Sequence, residues 1–254
     1  MSKHLLSAAA ELVRLIGDSA LTRYRTGIAV EKKGDGSPVT AADRDAERLG
    51  RRWIAKHFPG DGVLGEEFGE QGSDAQRRWL MDPIDGTKSF VRGVPLWGSL
   101  VAICEGSDVL AGAAYFPAVG ELVAAAPGEG CWWNDAKCSV SRVDAFRDAT
   151  ALTTDTRFAG TEARGEGWRA LASQCFIGRT WGDAFGYLLV ATGRAEVMVD
   201  PLANPWDAAP FMPIIEEAGG VFTDWGGQRT AFGGSVVATN RALATEARAL
   251  LRNG

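Results

Sequence analysis

The chain has 254 residues, with 27 Lys and Arg against 32 Asp and Glu, a formal charge of -5 and 46% hydrophobic residues. That length buries a large core, as one big domain or two small ones, and the mild acidity argues against the basic stripe with which nucleic-acid binders meet phosphates. No apolar run reaches membrane-spanning length and the N-terminus lacks the basic-then-apolar order of a signal peptide, so the expectation is a soluble, cytoplasmic protein with neither membrane nor nucleic-acid partners.

Leu5, Leu6, Ala9, Leu12, Val13 and Ile16 fall on one stripe at helical spacing, which predicts an amphipathic first helix packed on the core. The polar, Gly-rich run 31–38 predicts a loop or hairpin tip. A second helix starts near Thr40 and runs toward Lys56, with Asp43 in its first turn and Pro59-Gly60 closing it. Short strand-like runs at 63–64, 79–81, 96–104, 109–116 and 121–126, punctuated by Gly, Asp and Pro, predict a largely antiparallel sheet. From about Thr150, strand-like pieces (151–153, 197–199, 221–222, 236–238) are separated by helical ones (183–192, 206–218, 241–251). The two patterns predict a layered sandwich with an antiparallel α+β half over 1–148 and an α/β half over 149–254, sharing an interface.

Cys104, Cys131, Cys138 and Cys175 form no C-x-x-C pair and have no histidine at zinc-like spacing, so they read as reduced, mostly packed thiols. With only His4 and His57, phosphohistidine transfer and His-rich metal sites have almost no material. Carboxylates must carry the chemistry.

The informative stretch is Asp82-Pro83-Ile84-Asp85-Gly86-Thr87, directly after an apolar strand. A Pro-fixed turn lets both carboxylates point into one site, and Gly86 and Thr87 offer backbone amides to an anion, aided by a helix N-terminus if one starts at Thr87. An EF-hand loop beginning at Asp82 would need an acid third and Glu twelfth, where Ile84 and Gly93 stand. An Asp-x-Asp-Gly-Thr phosphatase motif would need Asp at 83, and Pro83 excludes it. The competing reading is an ordinary Asp/Gly surface turn. Taken singly, Gly65-Glu66-Glu67 reads as solvated surface, and Asp207 in Pro205-Trp206-Asp207 as a cap or first-turn charge of a helix. Pro213 in that helix predicts a kink or a later start.

As a set, Thr40-Ala41-Ala42-Asp43, Gly65-Glu66-Glu67, Asp82 to Thr87, Trp206-Asp207 and Glu216-Glu217-Ala218-Gly219-Gly220 resemble the inositol monophosphatase family in order and spacing, over nearly the whole chain. The resemblance implies an inositol monophosphatase and fructose-1,6-bisphosphatase-like fold, a Mg²⁺-dependent and Li⁺-sensitive phosphatase, and a homodimer. It implies Glu66, Asp82, Asp85, Asp207 and the carbonyl oxygen of Ile84 as ligands of two or three Mg²⁺ ions. It also implies Asp43 and Thr87 as the pair that polarises the attacking water, with Glu66 assisting, and the Gly86 and Thr87 amides as a phosphate cradle. Electrostatics agrees with such crowding, since unit charges 4 Å apart repel by about 4 kcal/mol at an effective dielectric near 20 unless cations intervene. Oxygen-only ligands suit Mg²⁺.

The runs 88–97 and 178–187, with Arg179-Thr180-Trp181-Gly182-Asp183, resemble the bacterial histidinol-phosphatase branch. That implies L-histidinol phosphate as the small phosphomonoester hydrolysed, in histidine biosynthesis. Arg179 and Asp183 then line the substrate pocket, beside Ile84, Asp85, Gly86, Thr87 and Asp207, and Asp200 contacts the non-phosphate part of the substrate. Structural roles compete: a helix N-cap for Asp183, a surface ion pair for Arg179, packing for Trp181 and Phe185. Lys88 stands either beside the phosphate or in solvent, and family analogy puts Lys32, Lys33 and Asp35 in a loop over the site. Inositol 1-phosphate, fructose 1,6-bisphosphate and a 3'-phosphonucleotide are the alternative esters. A non-catalytic phosphometabolite-binding protein is the rival of another class, and it would be marked by loss of a metal carboxylate or of Thr87; all are present.

Overall fold

The computed structural model describes residues 2–34 and 36–252; Asp35 lies outside them. Helix α1 (Ser2–Leu21) buries Leu5, Ala9, Leu12, Val13 and Ile16, while Leu6 is half-buried. A hairpin of β1 (Val30–Lys32) and β2 (Pro38–Thr40) leads into α2 (Ala41–His57). Then come β3 (Gly62–Gly65), β4 (Gly69–Gln71), β5 (Arg77–Asp85), α3 (Thr87–Val91), β6 (Gly98–Glu105), β7 (Asp108–Phe116), β8 (Glu121–Ala126), β9 (Gly130–Trp133) and β10 (Ala136–Lys137). These strands form an eight-stranded sheet in the order β10-β9-β8-β7-β6-β5-β3-β4. Every pair is antiparallel except β3 with β5. The sequence did not announce β4, whose Gly-Glu-Gln text lacks any strand-forming residue.

The second sheet is built from β11 (Thr150–Thr153), α4 (Glu162–Ala172), β12 (Ile177–Arg179), α5 (Ala184–Ala191), β13 (Val197–Asp200), α6 (Pro205–Ala208), α7 (Phe211–Glu217), β14 (Val221–Thr223), β15 (Val236–Thr239) and α8 (Ala244–Arg252). Its order is β12-β11-β13-β15-β14, with the first three strands parallel and β15 antiparallel to both neighbours. Helix α4 escapes sequence reading because two glycines interrupt it, and glycine is a weak helix former. The second one has a packing reason: a Cβ on Gly167 would come within 2.6 Å of the Leu251 carbonyl oxygen, so glycine lets α4 lie close on α8.

Alternation along the strands builds the layers. Leu80, Leu100 and Ala102 pack inward with Leu188, Met198, Phe211 and Ile214, whereas Met81, Val101 and Ile103 pack on the other face with Leu12 and Ile16 of α1. On the second sheet Met198 faces that shared core, and Val197 and Val199 face Trp168 and Leu251 of the outer helices. The layers therefore run α1/α2, first sheet, α5/α7, second sheet, α4/α8. One core thus spans both halves of the chain. Among the described residues no helix is long and apolar enough to cross a membrane.

The single helix expected over 206–218 is two helices. It breaks after Ala208 and restarts at Phe211, with Pro210 at the cap and Pro213 in the first turn, where a missing N–H costs nothing. The break also meets the first sheet: a Cβ on Gly112 of β7 would lie 2.0 Å from the Pro210 carbonyl oxygen.

Candidate active site

Strand β5 delivers two acids to one face by an irregularity. Residues three apart on a regular strand point to opposite faces. Here Asp82 pairs with Leu100 and Asp85 with Gly98, so β5 carries one residue more than β6 across this interval. Such a bulge re-aims the strand, and Pro83 sits inside it, where no ladder donor is needed. Ser99, opposite the bulge and fully buried, donates from Oγ to the Pro83 carbonyl at 2.6 Å. Asp82 Oδ1 accepts from the Ile84 amide at 2.9 Å, which closes the turn around the proline.

Gly86 then takes φ 79 and ψ 37, a left-handed conformation that favours glycine, and α3 starts at Thr87. A Cβ at 86 would stand 3.0 Å from both Asp183 Oδ2 and the Leu96 carbonyl oxygen. Thr87 Oγ1 donates to the Ile84 carbonyl at 2.9 Å and lies 3.4 Å from Asp43 Oδ1. The other oxygen of Asp43 closes a capping box at the start of α2, accepting from the Thr40 amide at 2.9 Å and the Thr40 hydroxyl at 2.6 Å. Thr40 thereby aims Asp43 Oδ1 across at Thr87.

Asp207 arrives from the second half. It is the third residue of α6, and its Oδ2 accepts from the backbone and side-chain nitrogens of Asn204 at 3.0 and 3.1 Å. Asp82, Asp85 and Asp207 each offer an oxygen, and those oxygens lie within 4.8 Å of one another. Glu66, Ile84, Gly86, Thr87, Lys88, Asp183 and Asn204 join them around a cleft of about 250 Å³. Lys33 reaches in from the β1–β2 hairpin, with Nζ 2.7 Å from Glu66 Oε1 and 2.6 Å from Glu67 Oε1.

A second pocket, of about 110 Å³, adjoins this cleft and shares Asp85, Asp183 and Asp207 with it. Its remaining polar walls are Thr154, Tyr187 and Asp200. Asp200, at the end of β13, accepts from the Tyr187 hydroxyl at 2.7 Å and from the Thr154 amide at 3.3 Å. Asp183 stands at the start of α5 but makes no side-chain capping bond, so its carboxylate faces the pockets instead.

Burial makes these charges costly. It pushes the carboxyls of Asp82 and Asp85 well above the usual range, and neighbouring acids push further: Glu66 for Asp82, Asp183 for Asp85. Burial raises Asp207 to about 7 against the Asn204 bonds, Asp200 to about 7 against the Tyr187 and Thr154 bonds, and Glu67 to about 7 against the Lys33 ammonium. Asp43 and Asp183 are raised for the same first reason. An all-oxygen, partly buried acid cluster of this kind fits a hard divalent cation, which offsets the repulsion.

The structure thus brings Asp43, Glu66, Asp82, Ile84, Asp85, Gly86, Thr87, Asp183, Asp200 and Asp207 around two joined pockets. It does not bring Arg179 there. That side chain is exposed on the edge strand β12, lies 6.0 Å from the Trp181 ring and borders a separate shallow pocket with Thr156 and Trp168. The reason is registry: β12 is the outermost strand, beyond β11, whereas Asp183 follows it onto α5 at the interior. Phe185 packs edge-on to Phe116 at 5.5 Å, and Trp181 is 42% exposed. Glu216 pairs with Arg229, and Glu217 accepts from the Gly128 and Gly130 amides, so both serve the scaffold. The four cysteines are free thiols. Ser99, Thr154, Tyr187 and Asn204 support the site without having been singled out, and Thr40, expected as a helix start and motif residue, also positions Asp43. Of these, only the Thr40-to-Asp43 capping spacing leaves a mark in the sequence.

Comparison with known proteins bears on the fold and the family. A histidinol-phosphatase of Chlorobaculum parvum is 39% identical over 251 residues, covering 98% of this chain and 97% of that protein. An inositol-1-monophosphatase of Mesorhizobium japonicum is 34% identical over 231 residues, covering 89% of this chain and 85% of that protein. The crystal structure of the extragenic suppressor protein suhB from Bartonella henselae superposes with a TM-score of 0.92 at 28% identity, covering 99% of both chains. The profile of the inositol monophosphatase family matches residues 1–253, and the chain belongs to that family.

Proposed function

We propose that this protein is a Mg²⁺-dependent phosphomonoesterase that hydrolyses L-histidinol phosphate to L-histidinol and inorganic phosphate. The carrying observation is the convergence of Asp82, Asp85 and Asp207 within 4.8 Å, beside the facing pair of Asp43 and Thr87. These three acids, with Glu66 and the Ile84 carbonyl, would hold the metal ions. When bound, Mg²⁺ supplies Lewis-acid charge to the attacking water, the phosphoryl oxygens and the leaving oxygen.

The chain's own residues orient the nucleophile. Thr87 commits its hydroxyl proton to the Ile84 carbonyl at 2.9 Å, which leaves its oxygen lone pairs to accept from a water. Asp43 Oδ1 accepts the other water proton, so the water's own lone pair is aimed at phosphorus. As the new P–O bond forms, one water proton passes to Asp43; the electron pair of the breaking ester P–O bond leaves with the alcohol oxygen, which takes that proton back through solvent, so the products are the alcohol and inorganic phosphate and Asp43 is restored. Burial raises that carboxyl, which makes it a better base than an exposed one. The first-turn amides of α3 are read as donors to the phosphoryl oxygens.

The adjoining pocket favours a cationic alcohol. Beside the proposed metal holders Asp85 and Asp207, it is lined by Asp183 and Asp200, whose carboxylates are left for the substrate, and among the described residues no lysine or arginine lines it. An ammonium or imidazolium gains charge-assisted bonds there, whereas the second phosphate of fructose 1,6-bisphosphate or of a phosphonucleotide meets like charge. The 39% identity to a histidinol-phosphatase, against 34% to an inositol-1-monophosphatase, supports the same choice. The reading extends to a cytoplasmic homodimer, to Li⁺ inhibition and to sub-domains over 1–148 and 149–254. Phosphate release from purified protein with Mg²⁺ should give the highest kcat/KM on L-histidinol phosphate among the four esters. A higher value on inositol 1-phosphate would overturn the substrate, and no release from any would overturn the enzyme.

A further inference from the structure

Glu47 lies on α2 one turn after Asp43 and is fully buried. Burying a carboxylate is expensive unless donors surround it. Its donors are specific: the Glu67 amide reaches Oε2 at 2.7 Å, the Phe68 amide reaches Oε1 at 3.2 Å, and Arg51 Nε reaches Oε1 at 2.8 Å. The two amides belong to the turn that joins β3 to β4 and carries Glu66. Arg51 continues past Glu47 to the Gly69 carbonyl and the Gln71 side chain, so the pair grips the turn and its exit strand.

Two further observations show that the approach is built in. A Cβ on Gly65 would lie 2.1 Å from Glu47 Oε1 and 2.4 Å from its carboxyl carbon, so only glycine at 65 admits this carboxylate. On the other side of the turn the Glu66 amide donates to the Met81 carbonyl at 3.2 Å, one residue before Asp82. Glu66 is therefore pinned between Glu47 below it and the acid-bearing end of β5 beside it. Because Asp43 and Glu47 are four apart on one helix face, α2 also sets the spacing between the water-orienting acid and the Glu66 turn.

We propose that Glu47 is a positioning residue for divalent-cation binding: its carboxylate templates the backbone of the Glu66–Phe68 turn and thereby places the Glu66 carboxylate beside Asp82. The proposal rests on the metal-dependent reading of the site. Groups that orient a ligand typically change metal affinity by about 10–100-fold when removed. In Glu47→Gln the amide oxygen can serve only one of the two backbone donors, and its NH₂ opposes the other. Gly65→Ala displaces the carboxylate without changing Glu47.

Titration of the full-length protein with Mg²⁺ by calorimetry, with melting curves in EDTA alongside, tests this. Both variants should bind Mg²⁺ at least about tenfold more weakly. The Mg²⁺ concentration for half-maximal phosphate release should rise in step, while kcat at saturating Mg²⁺ falls less than about threefold. Variants that melt lower in EDTA yet bind Mg²⁺ like the wild type would show a packing role only and overturn the proposal. If the wild type binds no Mg²⁺, the metal reading itself fails and the proposal with it.

Discussion

The backbone N–H of Ala184 donates to Asp85 Oδ2 at 2.6 Å, joining residues 99 positions apart. One end is the acid at the tip of β5, and the other is the first residue of α5, which is packed between the two sheets. The bond orients Asp85 toward Asp82 and Asp207 and ties this acid cluster to the helix that lines the adjoining pocket.

Asp85→Asn keeps an oxygen acceptor for Ala184, so the fold should survive while a metal carboxylate is lost. Loss of one such ligand is worth several kcal/mol of transition-state stabilisation, at least roughly a thousandfold in kcat/KM. Circular dichroism should match the wild type and phosphate release should not. A variant retaining more than a tenth of wild-type activity would refute the ligand assignment.

In the proposed mechanism Thr87 acts through its hydroxyl, which Ser keeps and Val lacks at nearly the same volume. Thr87→Val should lower kcat by about 10²–10³ with KM little changed, the scale of a proton-handling group. Thr87→Ser should retain activity within about tenfold. Equal activity for the two variants would remove Thr87 from water orientation.

Asp200 links pH to stability with a definite sign. Burial holds its carboxyl at about 7, while an unfolded chain titrates it near 3.9. Between these values the folded state binds the extra proton, so stability falls as pH rises from about 4 to about 7 and levels off above. Asp200→Asn removes this contribution, on the order of 4 kcal/mol across the window. Urea melts in EDTA at pH 5 and pH 8 should show a shallower decline for the variant, and parallel declines would contradict the assignment.

Cation binding should reverse the cost of the acid cluster in the native protein. At 100 times its dissociation constant Mg²⁺ adds about 2.7 kcal/mol, which for a chain of this size raises Tm by roughly 5–10 °C. EDTA should remove the shift. Asp82→Asn should abolish it while melting in EDTA no lower than the wild type, because a desolvated charge has gone. Wild-type melting that ignores Mg²⁺ would count against the site.

Much was legible along the chain. The stripe of α1, the hairpin tip before Pro38, the start of α2 at Thr40, the helix start at Thr87 and the trouble that prolines bring after Asp207 all follow from local chemistry. Each depends on neighbours within a turn or two. What escaped depended on remote partners: α4 uses a glycine that α8 requires, and β4 pairs despite its composition because β3 offers an edge. Arg179 shows the same limit from the other side, since it sits four residues before Asp183 yet faces away on an edge strand.

The sequence by itself determined which groups are available: many carboxylates, almost no histidine, a threonine beside an Asp-Pro-Ile-Asp turn, and a family resemblance carried by spaced motifs. Only the tertiary structure decided which acids act together. One extra residue in β5 turns Asp82 and Asp85 to the same face, and the break at Pro210 against Gly112 of β7 seats the helix that brings Asp207 to them. Strand parity and helix direction are settled by packing between segments distant in the chain, and that packing gathers acids scattered along the sequence around two joined pockets.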